Sequence, residues 1–275
     1  MDAFGVDMIV GLDLFSGIGG ISLALKDIVK PIAYVEIDKY CQKVLKSKMK
    51  SGDLHLGEIH NDVKSFNGTN FRKEIDIIYG GFPCQDISVA GNGKGLEGER
   101  SGLFYEIVRL TKEIQPSFVF LENVPAIRRR GLFAVVSEFT ELGYDCRWTV
   151  VSAREVGAPH LRKRWFLLAH ASRKRLEGQG DRAKHSKEKH TEFKLSNEGV
   201  ANSERDKSRL QPRRSSGPQR KDAPDYLDRS WWFSEPNVDR VVNGIPFRVD
   251  RVKALGNSVV PLTARTAFFK LLGDL

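Results

Sequence analysis

Cys84 stands in the segment GGFPCQDIS (80–88), directly after the apolar run IDIIYGG (75–81). A thiol at that place can serve as a covalent nucleophile, because open α/β sheets bind ligands beyond the carboxyl ends of their strands. A lone cysteine in a globular chain is more often a small buried hydrophobe, so its neighbours must carry the argument. Gly80 and Gly81 permit a sharp turn, and Pro83 stiffens the approach without offering an N–H. The next apolar run, SFVFLEN (117–123), brings Glu122 to its end. A thiol and a carboxyl thus fall at successive strand ends. A buried carboxyl holds its proton to higher pH and can donate a hydrogen bond. The competing role for Glu122 is a helix cap or an ion-pair partner.

A second constellation lies earlier. DLFSGIGG (13–20) sits at a strand-to-helix turn, where glycines let backbone approach a ligand and a helix start offers N–H groups to an anion. A dinucleotide fold wants Gly-x-Gly-x-x-Gly. Here the glycines fall at 17, 19 and 20, and Ser22 takes the third expected place, which counts against a dehydrogenase. A carboxylate, such as that of a methionyl group, suits this loop as well as a phosphate does. Glu36 closes the following apolar run, where an acid accepts both hydroxyls of an adenosine ribose. Asp62, in EIHNDVKSF, could accept from an adenine amino group. Taken singly, each acid is more often a surface charge.

The elements that must position these residues follow from periodicity. Strands are expected at 8–15, 32–38, 75–81, 117–123, 147–153 and 164–170. Helices are expected at 19–30, 39–49, 103–114 and 133–143, and over the tail LTARTAFFKLLGDL. The helix from 103 stops before Pro116, and Gly143 closes the one from 133. Alternating strand and helix predicts a parallel α/β sheet with helices on both faces.

Residues 171–230 are rich in Lys, Arg, Ser, Gln and Gly and carry most of the net charge of +9. They read either as a solvated insert or as a small module that touches DNA. Order is expected to return at 228–261, where Trp231, Trp232 and Phe233 are costly to expose. The three cysteines, Cys41, Cys84 and Cys146, lie far apart, so neither a disulfide framework nor a zinc site is expected. No apolar run approaches the roughly 20 residues that span a bilayer, and the N-terminus does not read as a signal peptide. A cytoplasmic chain is expected.

The ordered blocks DLFSGIGG, Glu36-Ile37-Asp38, GGFPCQDIS, Glu122-Asn123-Val124, Arg162-Lys163-Arg164 and GNSVVP (256–261) resemble those of the DNA cytosine-5 methyltransferases of bacteria and their phages. The resemblance covers most of residues 8–170 and 240–275. It implies a Rossmann-like, S-adenosylmethionine-dependent catalytic domain (1–170 and 251–275) and a small irregular target-recognition region (171–250). It implies S-adenosylmethionine as methyl donor, S-adenosylhomocysteine as product, no metal, and a flipped cytosine in double-stranded DNA as substrate. Cys84 would attack C6 and Glu122 would contact N3 and the exocyclic amine. Arg162 and Arg164 would hold the cytosine O2, the catalytic geometry and the backbone; their competing role is in surface salt bridges.

By the same resemblance Phe15, Gly17, Ile18 and Gly20 line the donor site. Glu36 and Ile37 hold ribose and adenine, Asp62 the adenine amine, and Pro83 and Leu103 flank the donor. Asn257 and Ser258 close the pocket. The family has Gln-x-Arg-x-Arg where this chain has His160-Leu161-Arg162-Lys163-Arg164, so the role of His160 is open. A monomer is expected, and a cognate restriction endonuclease is compatible with the resemblance without being physically required. Two other readings share the blocks, an RNA (tRNA) cytosine-5 methyltransferase and a non-catalytic DNA-binding relative.

Overall fold

The run IVGLDL forms the first strand, β1 (Ile9–Leu14), whose last four residues are buried. Burial on both faces is what a central strand of a parallel sheet requires. The computed structural model describes residues 8–83, 102–172 and 248–273. These fall in one of the chain's two units, which takes in Met1–Arg173 and Pro236–Leu275. Cys84 and residues 173–247, the aromatic trio at 231–233 among them, lie outside the described residues.

After β1 come α1 (Gly20–Ala24), β2 (Val29–Val35), α2 (Lys39–Lys50), β3 (Glu58–His60) and β4 (Ile77–Gly81). Then follow α3 (Leu103–Ile114), β5 (Phe118–Asn123), α4 (Ile127–Arg130), α5 (Leu132–Glu141), β6 (Tyr144–Ser152) and β7 (Lys163–Ala171). The described part ends with α6 (Arg248–Asn257) and α7 (Pro261–Gly273). The strands make one sheet in the order β3-β2-β1-β4-β5-β7-β6.

Neighbours from β3 to β5 pair in parallel, whereas β7 is antiparallel to both β5 and β6. The sheet is therefore mixed, which corrects the expectation of a wholly parallel one. Residues 153–162 are too few for the crossover that a parallel pair needs, so β6 and β7 must form a hairpin.

The sequence also overestimates α1. A helix over 19–30 is expected, but it ends at Ala24 and β2 starts three residues before the expected position. Pro31 disfavours helix in the residue before it, and Val29 pairs with Ile9 across the sheet. β3, α4 and α6 have no counterpart in the expected elements.

From β1 the chain steps to one side of the sheet, and from β4 to the other. Right-handed crossovers then put α1 and α3 on opposite faces. On the first face, Ile21 and Leu25 join Phe268 and Leu271 of α7 over Ile77, Phe120 and Phe166. Phe120 and Phe166 stack 5.7 Å apart, and Phe268 meets Phe120 edge-on. On the second, Phe104 of α3 touches Phe82 and Phe139 of α5. The strand order reverses between β1 and β4, and ligands bind beyond such a switch point. Among the described residues no helix is long and apolar enough to cross a membrane.

Candidate active site

Two loops leave the sheet at the switch point, and their spacing is fixed by backbone. A Cβ at Gly80 would collide with the carbonyl oxygen of Leu14 at the end of β1. Only glycine lets β4 run this close to the strand that feeds the DLFSGIGG loop. Gly81 serves the next strand, since a Cβ there would lie 2.6 Å from Oε2 of Glu122.

Glu122 pairs with Gly81 on one side and with Phe166 on the other. The Nε of Arg164 lies 2.8 Å from Glu122 Oε1, and both side chains are largely buried. Burial pushes the Glu122 carboxyl up to about 7, against the opposing charges of Arg164 and Arg162. A carboxyl so placed can carry its proton near neutrality and still be oriented by a cation. The next residue, Asn123, binds the Phe82 carbonyl through Nδ2 and receives the Val124 N–H on Oδ1. The β5 end is thereby tied to the backbone immediately before Pro83, which is half-buried. The residue after it is Cys84.

Arg162 is placed differently from its partner. Its Nη2 donates to the carbonyls of Gly256, at 2.8 Å, and of Ser258. It therefore holds the GNSVVP turn, and Arg164 alone of the two makes a direct ion pair with Glu122. Arg162, His160, Leu255, Ser258 and Val260 line a cavity of about 360 Å³.

The DLFSGIGG loop is built on left-handed backbone. Phe15 has φ 53, and Gly17 and Gly19 have φ 55 and 79. A non-glycine residue in this region is strained, and such strain clusters at ligand sites. Space beside Gly17 is open, whereas a Cβ on Gly20 would meet Val259 at 2.9 Å. Gly20 thus admits the turn that Arg162 holds. Lys48 donates to the Ile18 carbonyl at 2.8 Å.

The Glu36 carboxylate joins two loops, accepting the Gly17 N–H on Oε2 and the Asp38 N–H on Oε1, each at 2.7 Å. Beside it Ile37 is 72% exposed, unusual for a branched aliphatic residue at a strand end. Asp62 follows β3, next to β2 in the sheet, and caps a short turn through the Lys64 N–H. Leu103 opens α3 and is half-buried. Asn257 ends α6 exposed, and the Ser258 hydroxyl caps that helix on the Leu255 carbonyl. Lys253 of the same helix pairs with Asp38 at 2.8 Å.

The expected residues thus fall into two groups flanking the switch point. Phe15, Gly17, Ile18, Gly20, Glu36, Ile37 and Asp62 lie with β1 to β3. Pro83, Glu122 and Arg164 lie with β4, β5 and β7. Asn257, Ser258 and Arg162 bridge them through the α6–α7 turn. Sequence reasoning missed the bond of Lys48 to the Ile18 carbonyl and the pairing of Lys253 with Asp38, neither of which leaves a signal in residue spacing. Among the described residues no cluster of three His, Cys, Asp or Glu is placed to hold a metal.

The family model described as C-5 cytosine-specific DNA methylase matches residues 9–225. The chain belongs to that family. It is 43% identical over 159 residues to the Type II methyltransferase M.CviJI of Paramecium bursaria Chlorella virus IL3A, covering 58% of this chain and 42% of that protein. It is 36% identical over 162 residues to M.HhaI of Haemophilus parahaemolyticus, covering 57% and 47%. The chain therefore spans a little under half the length of these curated relatives. Among solved structures, the Entamoeba histolytica methyltransferase EhMeth superposes with a TM-score of 0.51 at 18% identity, covering 61% of this chain and 54% of that one. That likeness is one of fold.

Proposed function

We propose that this cytosine-specific methylase transfers a methyl group from S-adenosylmethionine to C5 of a flipped cytosine in double-stranded DNA, within a specific sequence context. The observation that carries this reading is the buried Glu122–Arg164 pair, held against Gly81 three residues before Cys84. Family membership supplies the reaction class.

The residues fit the donor. Glu36 keeps acceptor capacity for ribose hydroxyls, since a carboxylate offers about four lone-pair sites and two are used. The exposed Ile37 offers an apolar plate for adenine, and Asp62 a neighbouring acceptor. The open side of Gly17 leaves room for the methionyl part. Asn257 and Ser258 approach from the turn that packs on Gly20. When bound, the donor supplies an electrophilic methyl group on a sulfonium.

Cytosine C5 is a poor nucleophile until C6 is attacked. The Cys84 thiolate would add to C6, while protonated Glu122 donates to N3 and its other oxygen accepts from the exocyclic amine. The ring then carries enamine character and C5 takes the methyl group. Loss of the C5 proton and elimination of Cys84 restore the ring and free the thiol. Arg164 orients Glu122 throughout. Flipping brings both ring faces to the enzyme.

We take residues 1–170 and 251–275 as the catalytic part and 171–250 as the target-recognition part. The chain is read as a monomeric cytoplasmic protein, compatible with a partner endonuclease. The test is incubation with labelled donor and cytosine-containing duplex. Methyl transfer by Cys84→Ala equal to the unaltered chain would sink the mechanism. A stable adduct on 5-fluorocytosine duplex separates an active enzyme from a non-catalytic relative. Preference for tRNA over duplex would replace the DNA reading with the RNA one.

A further inference from the structure

The buried carboxylate of Asp13 has no part in the chemistry above, yet it organises the loop that begins beside it. Asp13 is 1% exposed and lies on β1 opposite Tyr34 and Tyr79 of the flanking strands. The Ser22 hydroxyl donates to Asp13 Oδ2 at 2.5 Å, and the Tyr79 hydroxyl lies 2.8 Å from the same Ser22 oxygen. With Asp13 ionised, Ser22 donates to it and Tyr79 donates to Ser22. The partners are hydroxyls rather than cations, and the Ser22 and Tyr79 side chains are themselves buried.

The chain enters the DLFSGIGG loop at Asp13 and has left it by Ser22. The Asp13–Ser22 bond therefore closes the loop at its base. Inside that closure the Ser16 hydroxyl donates to the Asp13 carbonyl at 2.9 Å, and the Gly19 N–H to the Ser16 carbonyl at 2.8 Å. The strained Phe15 and the left-handed Gly17 and Gly19 all sit within it. A loop held this way keeps its ligand-binding shape when empty, and ordering already done is not charged to binding. Tyr79 adds a link to β4, the strand that leads to Cys84.

We infer that Asp13, Ser22 and Tyr79 form a buried staple that positions the cofactor loop and fixes it to the nucleophile-bearing strand. They are positioning residues, acting on the donor through Phe15 to Gly20. The inference rests on the reading of that loop as the S-adenosylmethionine site.

S-adenosylhomocysteine binding by calorimetry, on the full chain, tests it. Ser22→Ala and Asp13→Asn should weaken binding about tenfold. The rate constant at saturating donor on a duplex substrate should stay within about twofold, so KM moves and kcat does not. Ser22→Thr, which restores the hydroxyl, should recover most of the affinity. Tyr79→Phe removes only the outer hydroxyl and should weaken binding about threefold. It decides the matter if the inner variants do not fold. Unchanged affinity in the folded variants, or equal loss in kcat and affinity, would overturn the staple. Absence of binding by the unaltered chain would overturn the cofactor reading and the staple with it. Tight binding by the unaltered chain with indifferent variants overturns the staple alone.

Discussion

Gly81 leaves the space into which the Glu122 carboxylate folds, 2.6 Å from where a Cβ would stand. The second glycine of the GG pair thus makes room for the carboxylate on the next strand. Gly81→Ala should keep the fold, at a cost of about 1–3 kcal/mol for the overpacked contact. It should lower kcat on duplex DNA at least tenfold, since Glu122 must rotate away from Arg164. Single-turnover methylation by the folded variant measures this, and an unchanged rate would show that the glycine serves only the turn.

Glu122 should impose a pH limb near neutrality. Burial raises it from 4.5 to about 7, and in the proposed mechanism the protonated form donates to N3. Its folded pKa lies above the unfolded one. The stability it contributes is full below about 4.5 and is lost as pH rises through about 7. Asp13, raised from 3.8 to about 7 chiefly by burial, acts in the same direction. Urea midpoints should therefore fall between pH 5 and pH 8. Glu122→Gln should flatten that fall, lower kcat/KM by about 10²-fold, and abolish the limb near 7 in the rate profile.

The two arginines should separate by their readouts. Arg162 holds two carbonyls of the α6–α7 turn. Arg162→Met removes both bonds, and it should cost roughly 1–3 kcal/mol while weakening donor binding. Arg164→Lys should bind donor normally and lose kcat, because Arg164 touches Glu122 and not the turn. Thermal melting and donor titration of both variants, side by side, check the split.

Tyr144 provides a control remote from the chemistry. Its buried hydroxyl donates to the Pro116 carbonyl at 2.6 Å. Tyr144→Phe should lose about 1 kcal/mol of stability with kcat and donor affinity unchanged. A change in either would mean that the β5–β6 region communicates with the site.

The fold was legible where burial is periodic. LFYEIVRLTKEI spaces Phe104, Ile107, Leu110 and Ile114 on one helical face, and α3 spans the residues that this spacing marks. Glu122 and the two glycine loops were legible for a related reason, since strand ends are where an α/β sheet places its ligands. Three features were not. β3 is only Glu58–His60, too short to show any alternation. α6 exposes Val249, Val252 and Leu255 and buries Ala254, so its large apolar residues mark no buried face. The bond from Arg162 to backbone carbonyls some ninety residues away leaves no trace in spacing. The Asp13–Ser22–Tyr79 contact likewise joins three elements through single polar atoms, which hydrophobic periodicity does not record.

β7 lies between β5 and β6, although it is the last of the described strands in the chain. While it is absent, β5 has no partner on that side and Glu122 has no Arg164. Its insertion requires the β6–β7 hairpin to dock against a strand some forty residues earlier, a non-local step of the kind that slows folding. The ion pair at the candidate site therefore forms only with the closing step of sheet assembly. A refolding population that has completed the β3-to-β5 half would have the donor loop and still lack the oriented carboxylate. Amide-exchange protection of the donor loop should precede recovery of methyl transfer in time.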